Sequence, residues 1–315
     1  MTDEHRPAPE ELLAAAVSGD RGALARLLSM VERGGGEARV LGGLAHARAG
    51  GAVTVGITGA PGAGKSTLTS ALVAVMRARA EQVAVLAVDP SSPYTGGAIL
   101  GDRVRMGDHA LDDGVFIRSM ATRGHLGGLS LAVPEAVRVL DAVGFPTVVI
   151  ETVGVGQVEV EIAGEADTTV VVVNPGWGDA VQANKAGLME IADVFVVNKA
   201  DRAGVADTLA DIERMLSLRS PGGWRPPVIA TTATTGEGVE AFHEALVAHS
   251  DWAVSSGERE QRRARRAETE LDRIITARLR ARVAALHDAD AWEATVAEVR
   301  ALRVDPWSAA DALLG

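Results

Sequence analysis

The sequence predicts an α/β fold in which a mostly parallel, doubly wound sheet carries helical extensions at both ends of the chain. Short runs rich in Val and Ile recur through the middle of the sequence, as is typical of strands buried on both faces. Helix-compatible segments separate these runs, and that alternation favours a parallel sheet. Helix-type spacing of apolar residues appears before the first run and after the last. The runs are "VTVGITG" (53–59), "VAVLAVD" (83–89), "FPTVVIE" (145–151), "TTVVVVN" (168–174), "VFVVNKAD" (194–201) and "PVIATTA" (227–233).

The chain begins with a helical pattern. Residues 10–33 place apolar side chains at helical spacing, with an interruption near Gly19, which predicts one helix or a helical pair. The stretch "RGGGEARV" (33–40) is expected to be a flexible break before the sheet.

The chain also ends in a helical pattern. Residues 258–287 are rich in Arg and Glu, yet they carry an apolar stripe of Leu271, Ile275, Leu279 and Val283, which predicts an amphipathic helix outside the sheet. We therefore expect three segments: an N-terminal helical segment (1–50), a sheet domain (51–250) and a C-terminal helical extension (251–315).

Composition narrows the class of protein. The chain has 315 residues, is 47% hydrophobic and carries a net charge of −11 with no cysteine. It can bury a sizeable core, and its acidity argues against nucleic acid and anionic membranes as partners. The N-terminus lacks a secretion-signal pattern, and no stretch approaches the roughly 20 apolar residues that cross a bilayer. We expect a cytoplasmic protein without disulfides or thiolate metal sites.

A phosphate-binding loop follows the first predicted strand. Residues 59–66 fit G-x-x-x-x-G-K-[ST] and lead into the predicted helix "STLTSALVAVMRARA", which is the context that this motif requires. Backbone N–H groups of the loop and the start of the helix would face phosphates, while Lys65 would supply a full charge to the β and γ oxygens. The motif predicts a P-loop NTPase. Its nucleotide-binding residues are Gly59, Ala60, Pro61, Gly62, Ala63, Gly64, Lys65, Ser66 and Thr67.

Acidic residues at the ends of other predicted strands suggest a Mg²⁺ site. Asp89 and Glu151 each end a strand, and parallel strands bring their carboxyl ends to one edge of the sheet. Asp102 lies in a Gly-rich segment that could reorganise around the γ-phosphate. With the Ser66 hydroxyl, these three carboxylates are candidate ligands of Mg²⁺.

A second motif predicts the base. Asn198-Lys199-Ala200-Asp201 fits [NT]-K-x-D at the end of a later strand. Guanine presents two adjacent N–H donors that one carboxylate can accept together, and adenine does not. Asp201 therefore predicts GTP and GDP, with the Lys199 stem covering the base, Asn198 bridging to neighbouring loops, and backbone N–H groups near Thr232 and Ala233 closing over the base.

Longer stretches resemble a known family. The P-loop together with "AVDPSSPYTGGAILGDRVRM", "RSMATRGHLGGLS" and "IETVGVGQVEVEIAGEADTTVVVVNPGWGDAVQANKAGLMEIADVFVVNKADR" resembles the MeaB/ArgK group, which are GTPases associated with adenosylcobalamin-dependent methylmalonyl-CoA mutase. The resemblance is strong over about residues 10–250. It implies a GTPase chaperone that gates cofactor loading onto methylmalonyl-CoA mutase and protects it, and a homodimer formed through C-terminal helices.

The resemblance also suggests a mobile loop, "GWGDAVQANK" (176–185), with Asp179, Gln182 and Lys185 as its polar positions. Gln157, six residues after Glu151, is a candidate to orient the attacking water, so the candidate catalytic residues are Lys65, Glu151 and Gln157. Four arginines, at 103, 105, 118 and 123, include candidates to neutralise charge in the transition state.

Other functions stay open at this point. The kinase of the older transport-kinase description would need an acceptor site, and no H-R-D catalytic loop is present. A metal-insertion GTPase would favour His-rich or Cys-containing tracts, whereas the seven His here are scattered and Cys is absent. A binding-only scaffold and an RNA-binding "QRRARR" segment are the remaining alternatives, and acidic residues flank that segment on both sides.

Overall fold

The computed structural model describes residues 7–89, 107–109, 111–121, 131–152, 164–176, 187, 190–218, 223–287 and 290–314. Three helices come first: α1 (Pro9–Val17), α2 (Arg21–Arg33) and α3 (Gly36–His46). The expected break at 33–40 was wrong in part, because only Gly34 and Gly35, both with positive φ, separate α2 from α3.

Strands and further helices follow, and the predicted α/β class is confirmed. The elements are β1 (Val53–Gly59), α4 (Lys65–Ala78), β2 (Val83–Asp89), β3 (Val115–Ala121), α5 (Ala132–Val143), β4 (Thr147–Thr152), β5 (Thr168–Val173), β6 (Val194–Asn198), α6 (Val205–Leu216), β7 (Val228–Thr231) and α7 (Val239–Ser255). The seven strands form one sheet in the order β3-β2-β4-β1-β5-β6-β7, and every pairing is parallel.

Strand β3 is the element that the sequence patterns missed. Its sequence, "VFIRSMA", places Arg118 and Ser119 inside the strand, so it lacks the continuous apolar run of a central strand. The strand lies at one edge of the sheet, and Arg118 forms an ion pair with Glu32 and a hydrogen bond of 3.0 Å to Ser29, both on α2. The polar residue is thus accommodated by the helical layer.

Both faces of the sheet are covered, which explains the Val-rich strands. On one face, α1–α3 and α5 enclose a core that includes Leu27, Leu28, Leu86 and Leu140. On the other face, α4 and α7 pack against alternate residues of the central strands, in a core that includes Ile57, Leu68, Leu72, Val149 and Phe242. Side-chain alternation along β2 shows the two layers: Ala84 and Leu86 belong to the first core, and Val83 and Val85 belong to the second.

Two buried aspartates hold the amino-terminal edge of the sheet. Asp167 precedes β5 and accepts from the backbone N–H of Thr54 at 3.1 Å; Asp193 precedes β6 and accepts from that of Thr169 at 2.8 Å. Their counter-charges are consecutive arginines. Arg262 donates to both Asp193 oxygens at 2.6 and 2.9 Å, and Arg263 donates to Asp167 at 2.9 Å.

These arginines belong to the next helix, α8 (Glu258–His287). The chain divides into two compact units, residues 1–264 and 265–315, so the division falls inside α8 after both arginines. The second unit contains the rest of α8, α9 (Asp290–Arg300) and α10 (Pro306–Leu314), which Asp305 caps by accepting from the N–H groups of Trp307 and Ser308. The three segments expected from the sequence stay a prediction.

None of the described helices has both the length and the apolar composition needed to cross a bilayer.

The Asp193–Arg262 pair should make stability depend on pH. Burial alone would raise the pKa of the Asp193 carboxyl, but hydrogen bonds from His249 and Arg262 outweigh burial and lower it below its usual range. Because the folded pKa is depressed, this stabilisation is present above the unfolded pKa of about 3.9 and is lost as pH falls through the folded value.

We expect Arg262→Gln to destabilise the full-length chain by about 3 kcal/mol at pH 7, because a buried carboxylate loses its partner. The difference from the wild type should shrink below about pH 4, where the carboxyl of the variant becomes protonated. Urea unfolding at several pH values measures it. Arg278→Gln, an exposed position on the same helix, serves as the control and should have little effect. Equal unfolding free energies for Arg262→Gln and the wild type at pH 7 would contradict this account.

Candidate nucleotide-binding site

The predicted site residues follow different strands but meet at one edge. β1 leads into the P-loop, and Glu151 is the second-to-last residue of β4. β6 ends at Asn198, and β7 ends at Thr231. Since all strands are parallel, these carboxyl ends share one edge of the sheet, with β1 between β4 and β5.

The P-loop requires glycine at two positions where the backbone is left-handed and crowded. Gly59 has φ of +136°, and a Cβ there would overlap the carbonyl oxygen of Val172 in β5. Gly64 has φ of +90°, and a Cβ would lie 2.5 Å from the side-chain nitrogen of Asn198. Close approach to β5 and to β6 therefore selects glycine at both ends of the loop.

Lys65 is the first residue of α4, and its side chain is folded into the loop. The residue is 6% exposed, and its ammonium group donates to the carbonyl oxygens of Gly59 at 2.7 Å and Ala60 at 3.2 Å. A full positive charge is thus held beside the start of a helix, where the helix dipole also favours anions. This arrangement suits a chain of phosphates.

Ser66 and Glu151 are brought together. The Ser66 hydroxyl donates to the Glu151 carboxylate at 2.5 Å, and the two residues are 8% and 2% exposed. Two oxygen ligands of the kind that Mg²⁺ prefers therefore lie at the end of the P-loop. Within the described ranges, no three His, Cys, Asp or Glu side chains are grouped so that they could hold a metal ion together. Asp89 ends β2, but its side chain lies outside the described set, as does the whole of Asp102.

Asn198 connects the base motif to the P-loop. Its amide nitrogen donates to the carbonyl oxygens of Ala63 at 2.9 Å and Gly64 at 3.4 Å. Its amide oxygen accepts from the Thr231 hydroxyl and from the Ala233 N–H, both at 3.2 Å. The side chain is 2% exposed, so one buried amide joins the loops that follow β1, β6 and β7.

Lys199 and Asp201 turn outward from that amide. Lys199 has φ of +62°, uncommon for a residue with a side chain, and its ammonium donates to the Gly62 carbonyl at 2.6 Å. Its stem therefore extends across the gap between the base motif and the P-loop. Asp201 is exposed, so its carboxylate is accessible to a ligand that binds from solvent.

Thr232 and Ala233 lie in a tight turn beside the base motif. The Thr232 N–H donates to the Glu237 carbonyl at 2.9 Å, and the Ala233 N–H donates to Asn198. The two N–H groups that the sequence suggested for the base therefore already have acceptors within the protein. Their place in the nucleotide site stays a prediction.

Several predicted residues lie outside the described part of the chain: Asp102, Gln157, Asp179, Gln182, Lys185 and the arginines at 103, 105 and 123. Arg118 is described, and its ion pair with Glu32 assigns it to the packing of β3 on α2. The residue that sequence reasoning missed is Thr231, because a Thr at the end of a strand is read as a strand former and nothing in its spacing signals a polar partner.

The family model and the curated relatives that match this chain are described as GTPases. The family model described as "Methylmalonyl Co-A mutase-associated GTPase MeaB" matches residues 24–288. The chain is 47% identical over 309 residues to a candidate GTPase of Pyrococcus horikoshii, covering 97% of both chains. It is 38% identical over 217 residues to the GTPase ArgK of Escherichia coli, covering 67% of this chain and 66% of that protein.

Two further likenesses are more distant. The mitochondrial methylmalonic aciduria type A homolog of Caenorhabditis elegans is 34% identical over 277 residues, covering 82% of this chain and 69% of that protein. A crystal structure of a LAO/AO transport system kinase superposes with a TM-score of 0.72 over 99% of this chain and 98% of that one, at 24% identity, and so supports the fold. With the P-loop and the base motif joined at one sheet edge, these matches show that the chain belongs to the methylmalonyl-CoA mutase-associated MeaB family of GTPases.

Proposed function

We propose that this GTPase binds GTP and GDP with Mg²⁺ at the carboxyl edge of the sheet, and that it acts as a chaperone that gates adenosylcobalamin loading onto methylmalonyl-CoA mutase and protects that enzyme. The observation that carries the nucleotide part is the buried Asn198 amide, which ties the base motif to the P-loop at 2.9 Å. The mutase part rests on the family described as mutase-associated.

At the phosphate end, the chain's own groups bind and orient. Lys65 and the N–H groups at the start of α4 neutralise the β and γ phosphates, and the P-loop glycines let the backbone approach them. Ser66, Asp89, Asp102 and Glu151 would hold Mg²⁺, and the buried Ser66–Glu151 oxygen pair fits a hard cation. When bound, the ion would offset the charge that builds on the phosphate oxygens.

Gln157 is proposed to orient the attacking water, so Gln157→Ala should lower turnover without lowering GTP affinity.

At the base end, Asp201 accepts the two adjacent N–H donors of guanine, and the Lys199 stem covers one face of the ring. Thr232 and Ala233 form the neighbouring wall. The Lys199 ammonium donates to Gly62 at 2.6 Å, which supports this placement because it stretches the stem toward the P-loop. An adenine base would leave the Asp201 carboxylate without donors, and that loss discriminates strongly.

Asp201→Asn tests base reading. The variant should bind GTP about a hundredfold more weakly and should gain affinity for xanthosine triphosphate, because xanthine replaces one donor with an acceptor that an amide can match. Titration with fluorescent derivatives of both nucleotides measures this. The neighbouring exposed Asp207→Asn, on α6, is the matched control. Unchanged GTP affinity in Asp201→Asn would place the base elsewhere.

Glu151→Gln tests the metal end. We expect turnover at saturating GTP and Mg²⁺ to fall roughly tenfold or more, because an amide is a poorer ligand for the ion than a carboxylate. GDP affinity should change far less, since the P-loop still holds the phosphates. Single-turnover hydrolysis and GDP titration separate the two effects. Normal turnover together with weakened GDP binding would argue against this role.

The mutase role requires a signal that a partner can read. The segment 174–187 follows β5, and Asp179, Gln182 and Lys185 are its polar positions. β5 pairs directly with β1, which carries the P-loop, so this segment starts beside the phosphate end of the site. To act as a switch it must differ in free energy between the GTP and GDP states.

Lys185→Ala tests that signal. Intrinsic GTP binding should stay within about twofold of the wild type, while the stimulation of hydrolysis by methylmalonyl-CoA mutase, or the control of cofactor transfer by GTP, should be lost. The measurement is GTP turnover with and without the mutase. Failure of the mutase to affect the wild type at all would contradict the proposed partner. Equal stimulation of both proteins would show only that Lys185 does not carry the signal.

A homodimer is proposed through the C-terminal extension. Leu271, Ile275, Leu279 and Val283 form a stripe along α8 and are 59%, 48%, 55% and 44% exposed. Four large apolar side chains at i, i+4 spacing are typical of a face that buries against another helix.

Light scattering of the full-length chain at micromolar concentration should give a dimer. Leu271→Asp together with Leu279→Asp should give a monomer, because two charges cannot be buried in an apolar interface. Leu218→Asp, which changes a residue that is 84% exposed in the first unit, should leave the dimer intact. A monomeric wild type would remove the proposal.

A further inference from the structure

We infer that Thr231 is a positioning residue for nucleotide binding: its hydroxyl fixes the orientation of the Asn198 amide and, through it, the spacing between the base motif and the P-loop. The inference deepens the proposed function and rests on it, because it assumes that Asn198 belongs to the nucleotide site. Thr231 itself is completely buried and lies below the ligand surface.

Thr231 and Asn198 are direct neighbours across two parallel strands. They are the last residues of β7 and β6, and their Cα atoms are paired in the sheet register. Two hydrogen bonds join the pair of strands here. The Thr231 hydroxyl donates to the Asn198 amide oxygen at 3.2 Å, and the Thr231 carbonyl accepts from the Ala200 N–H at 3.0 Å. One residue thus supports both the Asn side chain and the backbone turn that leads to Asp201.

The orientation of a buried amide is decided by its partners. An Asn side chain has one oxygen with two acceptor sites and one nitrogen with two donors. The oxygen here receives the Thr231 hydroxyl and the Ala233 N–H, and the nitrogen donates to Ala63 and Gly64. Both acceptor sites and both donors are occupied. The rotated amide would place its NH₂ against the Ala233 N–H and its oxygen against two carbonyls, which is repulsive.

The nitrogen side of the amide contacts a crowded part of the P-loop. Gly64 lies so close to the Asn198 nitrogen that a Cβ would meet it at 2.5 Å, and Gly64 directly precedes Lys65. A loosened amide therefore releases the point where the phosphate loop turns into α4. Because a nucleotide must reach the base motif and the P-loop at the same time, a change in their spacing weakens its binding.

Thr231→Val removes the hydroxyl and keeps the backbone bonds and the side-chain volume. We expect affinity for GTP and for GDP to fall equally, by about fivefold, the effect of one net hydrogen bond. Turnover at saturating GTP should stay within about twofold, since no reacting atom is touched. Thr231→Ser restores the donor and should return both affinities to within about twofold of the wild type; Thr231→Ala provides a second hydroxyl-free variant if Val does not fit.

Thr169→Val is the matched control. Thr169 is completely buried in β5, and its hydroxyl has no hydrogen-bond partner among the residues that the structure describes. The same chemical change there should leave nucleotide affinity unaltered. Thermal unfolding of every variant, monitored by circular dichroism, establishes that affinities are compared between folded proteins.

A double-mutant cycle with Asn198→Ala separates positioning from general packing. If Thr231 acts through Asn198, adding Thr231→Val to Asn198→Ala should weaken GTP binding no further. Additive losses, or wild-type affinity in both hydroxyl-free variants, would overturn the role of Thr231. Unchanged affinity in Asn198→Ala alone would overturn the proposed site itself, so the two failures are distinguishable.

Discussion

Because the seven described strands all run in the same direction, the carboxyl ends of β1, β4, β6 and β7 meet at one edge of the sheet. This constraint places a phosphate loop, a carboxylate and a base motif together, although 139 positions separate Gly59 from Asn198 in the sequence. It also explains why most side chains of the central strands are apolar, since helices cover both faces of the sheet. At that edge, the hydrogen bonds of the buried Asn198 amide define the spacing between the base motif and the P-loop.

The opposite, amino-terminal edge of the sheet contains two buried carboxylates. Parallel strands bring their amino ends together too, and Asp167 and Asp193 use their carboxylates to accept backbone N–H groups of the neighbouring strands. Buried carboxylates need counter-charges, and Arg262 and Arg263 supply them from the first turns of α8. The hydrogen bond to Asp167 and burial act in opposite directions on Arg263, and the hydrogen bond prevails and raises the pKa of its guanidinium. The start of α8 therefore stabilises the amino-terminal edge of the sheet.

Much of this could be predicted from sequence, for identifiable reasons. The continuous Val and Ile runs of the central strands and the glycine spacing of the P-loop are direct consequences of burial and backbone geometry. The edge strand β3 was not predicted, because Arg118 interrupts its apolar pattern. The start of α3 was not predicted either, because three successive glycines suggested a break. Asn198 and Ser66 were predicted as ligand residues, whereas the contribution of Thr231 depends on which residue pairs with Asn198 across β6 and β7. That pairing is a property of the register, which the sequence of one strand does not contain.

The central claim is that one sheet edge binds a guanine nucleotide through both of its ends. Competition of unlabelled GTP and ATP against a fluorescent GDP derivative, on the full-length protein with Mg²⁺, tests it most directly. GTP should displace the probe at concentrations roughly a thousandfold lower than ATP, because adenine leaves the Asp201 carboxylate without its donors. Displacement by ATP at the same concentrations as GTP would contradict the account.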